Sequence, residues 1–109
     1  YLVNPKGLVS KYMTIGFDST EKAKVDLVAA IHPADQTLRP QFVEKSTNPE
    51  YHDLISKFEA LTGIGGLLNT SLNLHGEPIV GNVDDAIHTL LNSDLDALVI
   101  NDYLISRKR

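Results

Sequence analysis

The chain has 109 residues, of which 42% are hydrophobic and 22% charged, as is usual for a globular protein. Its formal net charge of -4 argues against a nucleic-acid-binding module, which normally carries a basic face. Cysteine is absent, so neither a disulfide framework nor a cysteine-based zinc site can form. Since no apolar run approaches the roughly 20 residues of a membrane span, we predict one soluble domain over residues 1–109 in the cytoplasm, with no membrane or nucleic-acid partner.

The two ends of the chain give further expectations. The first residue is Tyr1 rather than Met, and the opening segment lacks the basic start and apolar core of a signal peptide. We therefore expect a piece of a longer protein. At the other end, Arg107, Lys108 and Arg109 form a short basic run, for which we predict a solvated tail.

The first part of the chain predicts extended segments. Residues 11–17 alternate in side-chain character with a period of two, which is typical of a strand. Residues 25–31 alternate as well and form a second candidate strand, although residues 21–28 can instead begin as a helical turn. A polar connection over residues 32–39 leads to a third extended run at 39–43.

A helix is predicted next. Asn48 is placed as its N-cap, Pro49 takes the first helical position, and Glu50 puts an acid in the first turn. Gly63 is placed to end the helix. The apolar residues between these ends follow helical spacing: Tyr51, Leu54, Ile55, Phe58 and Leu61.

The last part of the chain alternates strand and helix. Residues 64–68 are apolar and bounded by glycines, which predicts a buried strand that ends at Asn69. Asn82 can cap a second helix with acids in its first turn. Residues 97–100 predict a final buried strand that residues 103–105 continue. The predicted helix would bury Ala86, Ile87, Leu90 and Leu91.

This order of elements predicts an α/β fold, with a mixed, twisted sheet and flanking helices. Ligand sites in such sheets favour the loops beyond the carboxyl ends of strands. Residues 69–78, NTSLNLHGEP, follow the predicted strand 64–68 and therefore lie at such an end. This segment carries more hydrogen-bonding groups than a turn requires: two amides, two hydroxyls, an imidazole and a carboxylate.

Two interpretations of this segment stay open. The small side chains of Asn69, Thr70, Ser71 and Asn73 can bind a phosphate or an amide-like group at low entropic cost. Alternatively, the segment is a strand-to-turn connection whose side chains satisfy local backbone groups. The three letters NTS also match a glycosylation sequon, which we discount because the preceding run is predicted to be buried.

Three further residues are candidates for binding. His75 can donate a hydrogen bond to an anion, and Glu77 can accept from a ligand, but both can equally be exposed turn residues. The planar guanidinium of Arg39 suits bidentate contact with phosphate or carboxylate, and the alternative is a surface ion pair. The other three histidines show no metal-ligand spacing, so we predict no metal site. No Ser/His/Asp triad can be read, and the catalytic residue stays unassigned.

The chain resembles the C-terminal, YrdC-like domain of the O-carbamoyltransferases, the family of the nodulation and antibiotic carbamoyltransferases. The specific match is LLNTSLNLHGEPIV at residues 67–80. Supporting matches are YMTIGF, HPADQTLR, NPEYHDLISKFEALTG and DDAIHTLLNSDLDALVI. The resemblance extends over nearly the whole chain, which would be the later part of that domain.

The resemblance implies an enzyme of two domains, in which a larger N-terminal actin-like domain binds the acceptor and a metal. It implies that the YrdC-like domain takes carbamoyl phosphate and ATP, the latter as a co-substrate with Mg. Carbamoyl adenylate would form there with release of pyrophosphate, and the carbamoyl group would pass to an acceptor hydroxyl. Arg39 would hold an anionic phosphate, and the loop would bind carbamoyl or phosphoryl oxygens. The implied substrate-binding residues are Arg39, Asn69, Thr70, Ser71, Asn73, His75 and Glu77.

The sequence also departs from the family. The family's domain begins with a segment rich in Lys and Arg that lines the site and is not in this sequence, so we expect the fragment alone to be inactive. Leu72 stands where Phe is usual, and Gln36 where a glycine is usual, in a connection one residue longer than usual. Two alternative hypotheses stay open: a noncatalytic interaction or dimerisation module that forms a homodimer, and an activity like that of threonylcarbamoyl adenylate synthase.

Overall fold

The computed structural model describes residues 1–107, which group into one unit from Tyr1 to Leu68 and a second from Asn69 onward. No helix in this part of the chain is long and apolar enough to cross a membrane. The elements in chain order are β1 (Leu2–Val3), β2 (Phe17–Ser19), α1 (Glu21–Asp26), a 3-10 turn (Val28–Ala30), β3 (Thr37–Leu38), α2 (Pro49–Thr62), α3 (Val83–Leu91), β4 (Ala97–Ile100) and β5 (Tyr103–Ser106).

The first unit contains a three-stranded antiparallel sheet in the order β1-β2-β3. Phe17 of β2 lies opposite Leu38 of β3, and both side chains are buried together with Ala23 of α1. The ring of Phe42 lies 6.1 Å from that of Phe17, within the range of favourable aromatic pairs. These side chains form the small apolar centre of the unit.

Two of the predicted strands in this unit are wrong, at residues 11–17 and 25–31. Of residues 11–17, Phe17 alone is in a strand, because Met13 at φ 57 turns the chain out of the extended conformation. Residues 25–31 hold the end of α1 and the 3-10 turn, which confirms the helical alternative. The Thr20 hydroxyl accepts from the Ala23 N–H and caps α1, so this local signal overrides the alternation.

Two further strand predictions in this unit are also wrong. Residues 39–43 form no strand: Pro40 has no N–H to donate, and its carbonyl accepts from the Ser10 hydroxyl at 2.8 Å. Residues 64–68 are irregular as well. There the Gly65 N–H donates to the Tyr1 hydroxyl at 3.2 Å, and Leu68 is exposed.

Helix α2 confirms the prediction for residues 48–63. The Asn48 side chain accepts from the Tyr51 N–H at 3.1 Å, and Pro49 begins the helix. Gly63 at φ 76 ends it in the left-handed conformation and donates its N–H to the Glu59 carbonyl. Although the apolar residues follow helical spacing, α2 buries none of its side chains fully, and Leu61 is 86% exposed.

The second unit packs α3 against a β-hairpin. Asn82 caps α3 by accepting from the Asp85 N–H at 2.9 Å, as predicted. The hairpin pairs β4 with β5 antiparallel, with Leu98 opposite Ile105. Its core is entirely aliphatic: Ala86, Leu90 and Leu98 are buried, with Leu72, Val80, Ile87, Ile100 and Ile105 packed around them.

The hairpin corrects the last strand prediction in part. Residues 97–100 form β4 as predicted, but its burial alternates and Leu98 is its one buried residue. Residues 103–105 do not continue β4, because Asn101 at φ 51 turns the chain back into the antiparallel β5. On the outward face, Val99 lies opposite Leu104, and they are 67% and 72% exposed.

The α/β class is confirmed, with helices and two small sheets. Within residues 1–107 every strand pair is antiparallel, so the mixed sheet that we predicted is not formed there. Parallel pairing needs a long crossover between neighbouring strands, whereas β4 and β5 are joined by a turn of two residues. The YrdC-like arrangement and the single domain stay predictions.

Arg107, the residue of the predicted solvated tail that the structure describes, is exposed as predicted but also makes hydrogen bonds. Its guanidinium donates hydrogen bonds to the carbonyls of Leu90 and Ser93, at the carboxyl end of α3. A cation at this position satisfies otherwise unpaired carbonyls and opposes the negative end of the helix dipole. Lys108 and Arg109 lie outside the described residues.

Candidate functional site

The loop between Asn69 and Val80 is a short hairpin-like excursion in the second unit. The Val80 N–H donates to the Leu72 carbonyl at 3.1 Å, which brings the two half-buried stems together on the aliphatic core. A turn closes the far end, where the Glu77 N–H donates to the Leu74 carbonyl at 3.0 Å. Gly76 lies at φ 86 and a Cβ there would meet no atom within 4 Å, so its backbone conformation and not lack of space favours glycine.

Asn73 organises this loop through both ends of its amide. Its Oδ1 accepts from the Ser71 hydroxyl at 2.5 Å. Its Nδ2 donates to the carbonyls of Leu74 and Glu77 at 3.0 and 3.1 Å. The side chain therefore satisfies local backbone groups, as the alternative interpretation of the segment expects, and it fixes the direction of the Ser71 hydroxyl.

The other candidate side chains of the loop are open to solvent. Asn69, Thr70, Ser71, His75 and Glu77 are all exposed, whereas Asn73 is half-buried. The structure thus joins Ser71, Asn73 and Glu77 in one hydrogen-bonded loop, and a ligand from solution can reach the exposed groups. Binding by any of them stays a prediction.

The structure adds a residue that the sequence analysis set aside. His88 on α3 places its Nε2 3.6 Å from Glu77 Oε1, with 54% of the imidazole side chain exposed. The other ring nitrogen, Nδ1, lies 3.3 Å from Asn92 Nδ2. Metal-ligand spacing could not reveal this pair, because Glu77 and His88 belong to different elements. The spacing of four between His88 and Asn92 on a helix was the available signal.

Arg39 belongs to the first unit, where it follows β3 and is exposed. The connection before it is held by its own hydrogen bonds. The Asp35 carboxylate accepts from the hydroxyl and N–H of Thr37 at 2.8 and 3.0 Å, and these bonds hold the Asp35 pKa below its ordinary value. The His32 N–H donates to the Thr37 carbonyl at 2.8 Å and closes the loop.

Gln36, which stands where a glycine is usual in the family, has a backbone conformation that glycine adopts more easily. It lies at φ 58, in the left-handed region where a side chain is strained and glycine is not. The Gln36 Nε2 donates to the Pro33 carbonyl at 3.0 Å, and this bond offsets part of that strain. The glycine that usually stands in this connection would therefore suit the same backbone.

Among residues 1–107, no group of three or more carboxylate or imidazole side chains comes together to hold a metal ion. Mg²⁺ that accompanies ATP takes its ligands from the phosphates, from water and from only one or two carboxylates, so its binding here stays a prediction. Phosphate and carbamoyl groups suit the candidate side chains, because exposed hydroxyl, amide and guanidinium groups can donate hydrogen bonds to the oxygens of such ligands.

Several known proteins are similar to this chain. It is 43% identical over 103 residues to an uncharacterized protein of Methanocaldococcus jannaschii. The aligned segment covers 94% of the chain and 17% of that protein. It is 48% identical over 88 residues to nodulation protein NolO of Bradyrhizobium diazoefficiens, covering 81% of the chain and 16% of the relative. It is 36% identical over 73 residues to the 3'-hydroxymethylcephem-O-carbamoyltransferase of Amycolatopsis lactamdurans. The aligned segment covers 67% of the chain and 14% of that enzyme.

The chain spans between 13% and 20% of the length of these curated relatives and others like them. The family described as Carbamoyltransferase C-terminus matches residues 2–107, which is nearly every residue of the sequence. The predicted resemblance to the O-carbamoyltransferases is thereby confirmed. The chain belongs to the carbamoyltransferase C-terminus family.

Proposed function

We propose that this chain is part of an ATP-dependent carbamoyltransferase and contributes to the site for carbamoyl phosphate and ATP. In the parent protein the site forms carbamoyl adenylate with release of pyrophosphate, and the carbamoyl group passes to an acceptor hydroxyl at an N-terminal actin-like domain. The observation that carries this proposal is the family match over residues 2–107, together with a relative named as an O-carbamoyltransferase. The reaction takes place in the cytoplasm.

The chemistry asks for neutral and cationic hydrogen-bond donors. Adenylate formation brings two anions together, so the site must reduce their repulsion while it aligns the attacking oxygen with the α-phosphorus. The exposed guanidinium of Arg39 suits a phosphate. Asn69 and Thr70 suit carbamoyl or phosphoryl oxygens, whereas the Ser71 hydroxyl donates its proton to Asn73 and can accept from the carbamoyl NH2 group.

Substitutions in the parent protein test these roles. We expect Arg39→Ala or Asn69→Ala to reduce carbamoyl transfer at least about tenfold, a loss of roughly 1.4 kcal/mol of transition-state stabilisation. Lys6→Ala removes one exposed positive charge from the same unit as Arg39 and serves as the matched control. Wild-type rates in both Arg39→Ala and Asn69→Ala would refute the site assignment. Product analysis with bicarbonate and threonine in place of carbamoyl phosphate tests the chemistry of threonylcarbamoyl adenylate synthase.

Binding to this chain can be measured without catalysis. Carbamoyl phosphate and then an ATP analogue are titrated into isotope-labelled protein while backbone amide shifts are followed by NMR. We expect saturable shifts at Arg39 and at residues 69–77. If the shifts are absent, the titration is repeated with the upstream basic segment restored, and their absence there as well would refute binding at these residues.

The outward face of the hairpin favours a second candidate function, self-association. Val99 and Leu104 lie opposite each other and exposed, and their neighbours on that face, Ala97 and Ser106, carry no charge. We propose that a second copy packs on this face, since two such faces bury apolar side chains without desolvating a charge. Sedimentation should show a dimer that Val99→Thr with Leu104→Thr disrupts; a monomer at all concentrations would contradict this.

A further inference from the structure

The hydrogen bonds of Asn92 determine which nitrogen of His88 carries the proton. Asn92 Nδ2 lies 2.9 Å from the His88 carbonyl, which only accepts, so the amide NH2 and not its oxygen must be there. The same NH2 lies 3.3 Å from His88 Nδ1, which must then accept. In the neutral imidazole the proton is therefore on Nε2, the nitrogen that faces the Glu77 carboxylate at 3.6 Å.

From Glu77 the contacts run on into the loop. Its carbonyl accepts from Asn73 Nδ2 at 3.1 Å, and Asn73 Oδ1 accepts from the Ser71 hydroxyl at 2.5 Å. Two sets of polar contacts thus meet at Glu77: its side-chain carboxylate faces His88 of α3, and its backbone carbonyl accepts from Asn73 in the loop. We call these contacts, Asn92–His88–Glu77–Asn73–Ser71, the polar relay.

We infer that His88 is a positioning residue: oriented by Asn92, it holds the Glu77 carboxylate and thereby fixes the loop that presents Ser71. This inference rests on the proposed function in so far as the loop binds carbamoyl phosphate, with the Ser71 oxygen free to accept from its NH2 group. His88 itself reaches the site through Glu77 and need not touch the substrate. The exposed pair can act in this way because Glu77 lies on the same short turn that Asn73 closes.

The positional role is tested first in this chain by NMR, without substrate. His88→Ala removes the contact to Glu77, so we expect the side-chain amide signals of Asn73 to move towards their positions in the unfolded chain. His88→Gln supplies an NH2 group in place of Nε2–H and should restore them. His88 is more than half exposed, and the core of α3 consists of other residues, so both variants should fold. His52→Ala, in the first unit, is the matched control.

The consequence for substrate is tested in the full-length parent. We expect His88→Ala to raise KM for carbamoyl phosphate about three- to tenfold with kcat little changed, since a displaced loop loses binding shared by ground and transition states. His88→Gln should return KM to within about twofold of wild type. A uniform loss of folded protein would lower the amount of active enzyme and not KM.

The outcomes separate the two proposals. Asn73 signals that stay at their wild-type positions in His88→Ala, or that move equally in the Ala and Gln variants, overturn the positioning role of His88. Signals that move and recover as expected, with KM unchanged, uphold the polar relay and overturn the substrate role of the loop. Signals and KM that move and recover together support both.

Discussion

Asp26 shows how a single side chain ties distant parts of the first unit together. Its Oδ2 accepts from the Tyr1 hydroxyl at 3.0 Å and from Lys22 Nζ at 2.5 Å. The Lys22 ammonium also lies 5.4 Å from the centre of the Tyr1 ring, within cation–π range. The hydrogen bond from Lys22, followed by that from Tyr1, holds the pKa of Asp26 below its ordinary value.

This contact predicts a dependence of stability on pH. Because the folded state lowers the pKa of Asp26, the unfolded chain binds the proton more readily. The stabilisation is complete above the pKa of an unfolded aspartate and is lost as pH falls through the folded value. We expect Asp26→Asn to unfold at lower urea than wild type at pH 7, and the difference to shrink as pH falls through the folded pKa of Asp26.

Urea unfolding followed by circular dichroism between pH 7 and 2 measures this. Asp18→Asn, which removes an exposed carboxylate from β2, is the control. A difference between wild type and Asp26→Asn that is equally large at pH 7 and pH 2 would show that the carboxylate charge has no part in the effect.

Residues whose partner is close in sequence were predictable, and those with a distant partner were not. The caps Asn48 and Asn82 bond to an N–H three residues on, so their sequence context is sufficient. The contact of His88 with Glu77 depends on how the loop folds onto α3, which no local pattern records. For Asn73, one interpretation of the sequence predicted hydrogen bonds to nearby backbone groups, because small amides often make such bonds in turns. That the Glu77 carbonyl is the acceptor could be seen only from the folded turn.

The end of α2 gives a direct test of how backbone conformation affects stability. Gly63 lies at φ 76 with no atom within 4 Å of an added Cβ, so Gly63→Ala changes conformational energy and not packing. We expect it to lower the free energy of unfolding by about 1 kcal/mol. Gly16 has the same open surroundings without a left-handed φ, so Gly16→Ala should instead raise the free energy by up to about 1 kcal/mol.

Thermal or urea unfolding of the two alanine variants provides the measurement. The opposite signs are the informative result, because the added methyl group is the same in both. Equal destabilisation in both variants would mean that the methyl group, and not the left-handed conformation of Gly63, is responsible.

Helices were easier to predict than strands for a physical reason. A helix satisfies its backbone within one segment, so its caps and spacing near Asn48 and Asn82 suffice. A strand exists only where another segment pairs with it. Residues 11–16 alternate well but form no strand, while Leu2 and Val3 form β1 because Ser19 and Asp18 lie opposite them. Such pairing depends on contacts between distant segments.

Many large apolar side chains of both units are exposed to solvent. In the first unit, Leu61 of α2 and Val25 of α1 are 86% and 79% exposed, and in the second unit Val99 and Leu104 of the hairpin are exposed as well. The aligned segments make up 17% and 20% of two relatives, so each relative is at least about five times as long as the segment that it shares with this chain. Composition predicted a globular protein, but it carried no information about which apolar faces stay uncovered, because exposure depends on neighbours and not on residue type.

The aliphatic core of the second unit has a spectroscopic consequence. The chain lacks Trp, and its three Phe all lie before Leu68, as do Tyr1, Tyr12 and Tyr51. After Leu68 the sequence holds Tyr103, which is 73% exposed. Near-ultraviolet circular dichroism therefore reports chiefly on the first unit, and methyl resonances of the aliphatic core report on the second. One heating experiment followed by both signals distinguishes loss of one unit from loss of the other without altering a single residue.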